Sequence, residues 1–142
     1  MDKKLYIASD HAGFALKSKL CDFFKSLVDL GTNSEESVDY PDFAHKLTNE
    51  VLKDAGNFGI LICGTGVGMS IAANRIKGIR AGLVSTNEIA RLIRQHNNAN
   101  VLVLPGRFMD EVEAINCVKA FLETKFEAGR HKQRIDLSLI HI

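Results

Sequence analysis

Gly59-Ile60-Leu61-Ile62-Cys63-Gly64-Thr65-Gly66-Val67-Gly68-Met69-Ser70-Ile71-Ala72-Ala73-Asn74-Arg75 runs from a continuous apolar segment, through three alternating glycines, into a stretch of small and apolar residues. The apolar run Gly59 to Cys63 has the pattern of a strand buried on both faces, as in a parallel sheet covered by helices. The glycines supply a tight turn, and a helix is expected from near Met69 to Ile76. Strand, glycine turn and helix in that order are the repeating unit of an α/β fold.

The flanking sequence repeats this alternation. Leu5-Tyr6-Ile7-Ala8 is a short β-prone run ending at Ser9-Asp10-His11-Ala12-Gly13. Leu16, Leu20, Phe23, Phe24 and Leu27 then recur at helical spacing. Val28-Asp29-Leu30 is a weak strand stopped by the turn chemistry of Gly31-Thr32-Asn33-Ser34. Pro41 suits a first helical turn, and Phe43, Leu47 and Val51 continue that helix. Ala81–Val84 and Val101–Leu104 are two further buried strands, with a helix from about Asn87 to His96 between them. Asp110 and Glu113 form a capping-box pattern opening a long helix through Val112, Ile115, Val118 and Leu122. After Gly129 a last helix is expected from Arg130 toward the end. Five strands alternating with helices predict a Rossmann-like three-layer α/β/α sandwich with a five-stranded parallel sheet, spanning residues 1–142 as one domain.

The 142 residues carry 46% hydrophobic and 25% charged side chains, ordinary globular values, with a formal net charge of +1. That balance gives no electrostatic reason to expect nucleic acid or a membrane surface as partner. Met1-Asp2-Lys3-Lys4 precedes only a short apolar run, so no signal peptide is expected. No window approaches the roughly 18 apolar residues of a membrane span. Cys21, Cys63 and Cys117 are an odd number without a C-x-x-C pair, which fits a reducing cytoplasm rather than a disulfide framework.

The glycine loop fails three familiar readings on named residues. Gly64, Gly66 and Gly68 spell G-x-G-x-G rather than the dinucleotide G-x-G-x-x-G, and they follow the third strand instead of the first. A P-loop needs Gly-Lys where Met69-Ser70 stand. A thiol phosphatase needs arginine six residues after its cysteine, and Met69 occupies that place. Successive N–H groups of such a loop can still converge on one anionic oxygen, aided by the following helix dipole. Cys63 at the carboxyl end of the strand lies where open α/β sheets bind ligands, and a helix N-terminus favours a thiolate. Base and oxyanion hole together suit proton abstraction beside a carbonyl. The alternative is a buried strand cysteine followed by an ordinary tight turn.

Asp10-His11, Gln95-His96-Asn97-Asn98 and Arg107 are expected at the same sheet edge as Cys63. Arg130 and Arg134 are i, i+4 neighbours, spaced either to hold a phosphate or to form a solvated basic face. His45 and His141 read as surface residues, and Cys21 and Cys117 as core packing. No pair of histidines or acids has metal-ligand spacing on one helix or strand, so the chemistry expected uses no metal and no cofactor.

Across nearly the whole chain the sequence resembles the type B ribose-5-phosphate isomerases and the related galactose-6-phosphate isomerase subunits. The resemblance is carried by Ser9–Gly13, Asp39-Tyr40-Pro41, Ile62–Asn74, Arg94-Gln95-His96-Asn97 and Gly129–Arg134. It implies interconversion of ribose 5-phosphate and ribulose 5-phosphate through a cis-enediolate. Cys63 would then move the proton between C2 and C1, with Thr65 assisting. The main chain of Gly64, Gly66, Val67, Gly68, Met69 and Ser70 would stabilise the enediolate. His96 would open the furanose ring with Asn97 beside it, and Asp10 and Tyr40 would contact sugar hydroxyls. His11, Arg107, Arg130 and Arg134 would hold the phosphate. Retention of Cys63 favours the ribose-type branch, although Pro105 stands where a more polar approach to Arg107 is expected. The resemblance further implies homodimers, sometimes paired into tetramers, with both subunits contributing to each site and the segment from about 130 to 142 at the interface. A galactose- or allose-6-phosphate isomerase is the near rival. A non-catalytic sugar-phosphate-binding module is the rival from another class, and Cys63 and His96 speak against it.

Overall fold

The computed structural model describes residues 4–139. Five strands, β1 (Leu5–Ser9), β2 (Val28–Asp29), β3 (Phe58–Cys63), β4 (Ala81–Leu83) and β5 (Val101–Pro105), form one all-parallel sheet in the order β2-β1-β3-β5-β4. The helices are α1 (Phe14–Phe23), α2 (Tyr40–Val51), α3 (Val67–Asn74), α4 (Asn87–Asn97), α5 (Glu111–Glu123) and α6 (Arg130–Ser138). The expected Rossmann-like sandwich is therefore present.

Alternation along the central strands divides the core in two. Ile60, Ile62, Leu102 and Leu104 face Leu16 and Leu20 of α1, Ala90 of α4, and Ala114, Cys117, Val118 and Phe121 of α5. Leu61, Cys63, Val101 and Val103 face Ala44 and Leu47 of α2 and Met69 and Ala73 of α3. Each fully buried Ile or Leu contributes about 1.5–3 kcal/mol relative to exposure, which is why β3 and β5 are apolar throughout.

Several boundaries differ from the periodicity reading. α1 stops at Phe23, where the Phe24 N–H donates to Leu20 O, so Phe24 and Leu27 pack from beyond its end. Lys17 is buried on that helix, its Nζ bonded to both carboxylate oxygens of Asp29 at 2.7 and 2.8 Å. The capping box is half built as expected: Asp110 Oδ1 accepts from the Glu113 N–H at 2.8 Å. Glu113 does not reach back to Asp110; its Oε1 accepts from the Asn87 N–H at 2.8 Å and staples α5 to the start of α4. Among the described residues no helix is long and apolar enough to cross a membrane.

Candidate active site

The chain leaves β1 for α1 on one face and leaves β3 for α3 on the other. The carboxyl ends of these neighbouring strands are thus a topological switch point, where open α/β sheets offer a crevice. The two loops touch there. Asp10 N–H donates to Ile62 O at 3.2 Å, and a Cβ on Gly13 would lie 2.6 Å from that same carbonyl. Only glycine allows the approach.

Cys63 ends β3 on the α2/α3 side, 5% exposed. Gly66 is the N-cap of α3 in the left-handed region at φ +80°, and a Cβ there would also strike Leu83 Cδ1. The start of α3 settles which N–H groups are free. Val67 N–H donates to Thr65 Oγ1 at 3.2 Å, and Ser70 N–H begins the helical ladder by donating to Gly66 O at 3.0 Å. Those two donors are engaged within the chain. Gly68 and Met69, in the first turn, have no carbonyl of their own helix to reach. The Met69 side chain itself is fully buried core.

Other expected residues surround this loop. Tyr40 opens α2 and lays its ring on Gly68, where a Cβ would meet Cζ at 2.5 Å. Asp10 is buried and accepts the Gly13 N–H at 3.1 Å. His11 Nδ1 accepts from the Val38 N–H at 3.2 Å, so a neutral ring carries its proton on Nε2 as a donor for an anion. Pro105 closes β5 opposite Cys63. The chain then turns over the loop, Gly106 N–H donating to Cys63 O at 2.8 Å and Arg107 N–H to Gly64 O at 3.0 Å. The guanidinium of Arg107 is thereby brought beside Gly64. Pro105 does not disturb this placement, because the contacts come from the residues after it.

His96, Asn97, Arg130 and Arg134 are elsewhere. α4 runs back against the strand direction and ends where β5 begins, so its last residues lie at the amino-terminal edge of the sheet. The expectation of a common edge with Cys63 fails for that reason. These four residues line a cavity of about 740 Å³ with Asn74, Arg80 and Ala81, and none of the Cys63-loop residues enters its wall.

Arg94 organises this second region. Its Nη1 donates to Asn98 Oδ1 at 3.0 Å and Ala99 O at 2.6 Å, its Nε to Thr124 O at 3.3 Å, and its guanidinium lies over the Phe58 ring. Asn98 caps α4 in the left-handed region. The connector between α5 and α6 is held to α4 again by the Glu127 N–H, which donates to Gln95 O at 3.1 Å. It delivers His131 onto His96, with ring centroids 4.4 Å apart and planes 20° from parallel. Partial burial lowers the His131 pKa; His96, Arg130 and Arg134 add to this, and Glu127 opposes it. Sequence reading missed His131 because its partner lies on another helix; only its place beside Arg130 hinted at a role.

His45 is exposed as expected, Cys117 is fully buried and Cys21 partly so, while His141 lies outside the described residues. Desolvation, with Glu113 adding, pushes the Cys117 thiol up to about 12; burial also raises Cys21.

With this geometry, comparison with known proteins is decisive. The family described as Ribose/Galactose Isomerase matches residues 5–137. The chain belongs to the ribose/galactose isomerase family. A probable ribose-5-phosphate isomerase B of Mycoplasma genitalium is 47% identical over 142 residues, covering 96% of this chain and 93% of the relative. The crystal structure of a ribose 5-phosphate isomerase of Thermotoga maritima matches with a TM-score of 0.94 and 51% identity, covering 98% of each chain. That of ribose-5-phosphate isomerase B from Mycoplasma genitalium, with bound ribulose-5-phosphate, matches at 0.94 and 46% identity over 99% of this chain and 97% of that one. Members of the ribose/galactose isomerase family thus share the full extent of this fold.

Proposed function

We propose that the chain is an aldose–ketose isomerase that interconverts D-ribose 5-phosphate and D-ribulose 5-phosphate through a cis-enediolate. The observation that carries this is Cys63 at the switch point, directly before a loop and helix start with free main-chain donors. A relative of 46% identity that binds ribulose-5-phosphate supports the substrate. Cys63 moves the proton between C2 and C1, the main chain of Gly64, Gly66, Gly68 and Met69 stabilises the oxyanion, and Thr65 assists at the hydroxyls. Asp10 and Tyr40 contact the sugar. His96 with Asn97 opens the ring, while His11, Arg107, Arg130 and Arg134 hold the phosphate. Remote phosphate binding then fixes the carbonyl end against its base. The reaction belongs to the non-oxidative branch of the pentose phosphate pathway, in the cytoplasm.

The two residue groups must act on one sugar, yet one chain carries them on opposite sheet edges. A homodimer resolves this when each site takes the Cys63 region from one subunit and the α4–α6 region from the other. Val67 and Ile71, i, i+4 neighbours on α3, are about half exposed and give such a dimer an apolar contact. α6 buries no residue within its own chain, which fits a role at the interface.

The test is kcat/KM on ribose 5-phosphate against galactose 6-phosphate and allose 6-phosphate. Highest efficiency on the pentose is expected; higher efficiency on a hexose overturns the substrate assignment. A monomeric mass at micromolar concentration with full activity overturns the dimer.

A further inference from the structure

We propose that His96, Glu127 and His131 form a site for a borderline divalent cation of the Zn²⁺ type, and that its occupancy withdraws His96 from the reaction. The consequence for turnover rests on the ring-opening role proposed for His96; the binding itself does not.

Three segments supply the donors: the end of α4, the connector at Glu127 and the first turn of α6. One ligand atom from each lies within 4.8 Å of the others. His131 Nε2 and Glu127 Oε1 are already 3.7 Å apart. Around a tetrahedral zinc with bonds of 2.0–2.2 Å, neighbouring donor atoms stand about 3.4 Å apart, so one edge of the triangle is nearly formed. With the two imidazole planes only 20° from parallel and their centroids 4.4 Å apart, in-plane nitrogen lone pairs do not meet at one point. Convergence requires one ring to turn out of the stack about χ2, a torsion with a broad energy profile. The Glu127 N–H bond to Gln95 O already holds the connector against α4.

Two imidazoles and one carboxylate suit zinc or its neighbours and do not suit Mg²⁺ or Ca²⁺, which take oxygen donors. Both histidines line the 740 Å³ cavity, so the remaining coordination position would open into it. Arg130 and Arg134 line the same cavity, and their charge opposes a dication. One carboxylate against two guanidinium groups makes this a reversible, inhibitory site rather than the seat of a resident metal. Glu127 and His131 are i, i+4 in the sequence, and His96 joins them only through the Arg94-anchored connector.

The experiment uses the full chain, stripped with chelator and titrated with Co²⁺ as a spectroscopic probe, alongside Zn²⁺ inhibition of isomerisation. Wild type is expected to develop the visible bands of a tetrahedral nitrogen–oxygen Co²⁺ centre and to lose activity with Zn²⁺. Glu127→Gln lies outside the catalytic groups and keeps the connector's main-chain bond. It is expected to retain basal turnover while weakening Co²⁺ binding and raising the inhibitory Zn²⁺ concentration, each by at least ~10-fold. A Co²⁺ spectrum unchanged in Glu127→Gln, or a thiolate charge-transfer band that disappears in Cys63→Ala, places the metal elsewhere and overturns the site. Binding lost in Glu127→Gln while Zn²⁺ leaves wild-type turnover untouched overturns the withdrawal of His96. The Co²⁺ spectrum needs no turnover, so failure of the isomerase assignment remains distinguishable from failure of the metal site.

Discussion

The Cys63 region and the α4–α6 region are built by different means. Around Cys63 the sheet and its loops do the positioning: Asp10 N–H on Ile62 O, Gly106 N–H on Cys63 O, Arg107 N–H on Gly64 O. Around His96 side chains do it, with Arg94 clamping two carbonyls and an amide and one imidazole stacked on another. Main-chain positioning ties the first region to strand pairing. Side-chain positioning holds the second region at the edge to which the direction of α4 brings it.

The sharpest way to break this comparison is to disable each region in a different subunit. Cys63→Ala is expected to reduce kcat/KM by about 10²–10⁴-fold, as loss of a general base does, and His96→Ala is expected to be comparably impaired on ribose 5-phosphate. Coexpressed in equal amounts, the two variants should recover about a quarter of wild-type activity. Half the dimers are then mixed, and each mixed dimer has one intact site. A mixture as inactive as its parents would mean that each site lies within a single chain. Next in size, Arg130→Ala or Arg134→Ala removes a charge-assisted phosphate contact of roughly 1.5–3 kcal/mol. A raised KM with kcat nearly kept is expected, and an unchanged KM in both would refute the phosphate clamp.

A smaller effect tests the main-chain side. Gly68→Ala puts a methyl into the Tyr40 ring, and overpacking of this kind costs about 1–3 kcal/mol. Chemical denaturation should show that loss, and Tyr40→Ala should relieve it in the double variant. The smallest effect, read one pH unit above the ordinary thiol pKa, concerns Cys117. Burial, with Glu113 adding, pushes its thiol from an ordinary 9.0 up to about 12, so above pH 9 the unfolded chain releases a proton that the folded chain keeps. Stability therefore falls between pH 9 and 12, by at most about 1.4 kcal/mol per pH unit from this group. Cys117→Ala should lower stability at pH 7 yet flatten that decline; an unchanged slope would show that the thiol is not its source.

Strands and glycines were the legible part of the molecule. Gly59 to Cys63 has the pattern of a doubly buried strand, and three close glycines after it imply main chain brought against something. The placement of His96 was misjudged by counting it as a neighbour of β5, when the direction of α4 decides its edge. Lys17 broke the apolar pattern of α1 because its charge is answered by Asp29 on another element. Glu113 satisfied a capping pattern and was recruited by Asn87 instead. His131 and Glu127 acquired meaning only through a connector whose sequence has no periodicity. For Lys17, Glu113 and the pairing of His131 with His96 the deciding partner is distant in the chain, and local spacing carries no information about it.

The Arg94 clamp has a consequence for how such a protein diverges. It fixes where the α5–α6 connector begins, and residues 124–129 then set how far Arg130 and Arg134 stand from His96. No strand takes part in that measurement. A residue added to or removed from the connector would therefore re-space Arg130 and Arg134 from His96 while leaving every strand and the cysteine loop as they are. The sheet is a fixed frame, and the distance between two groups at its far edge is set by a part that can be exchanged.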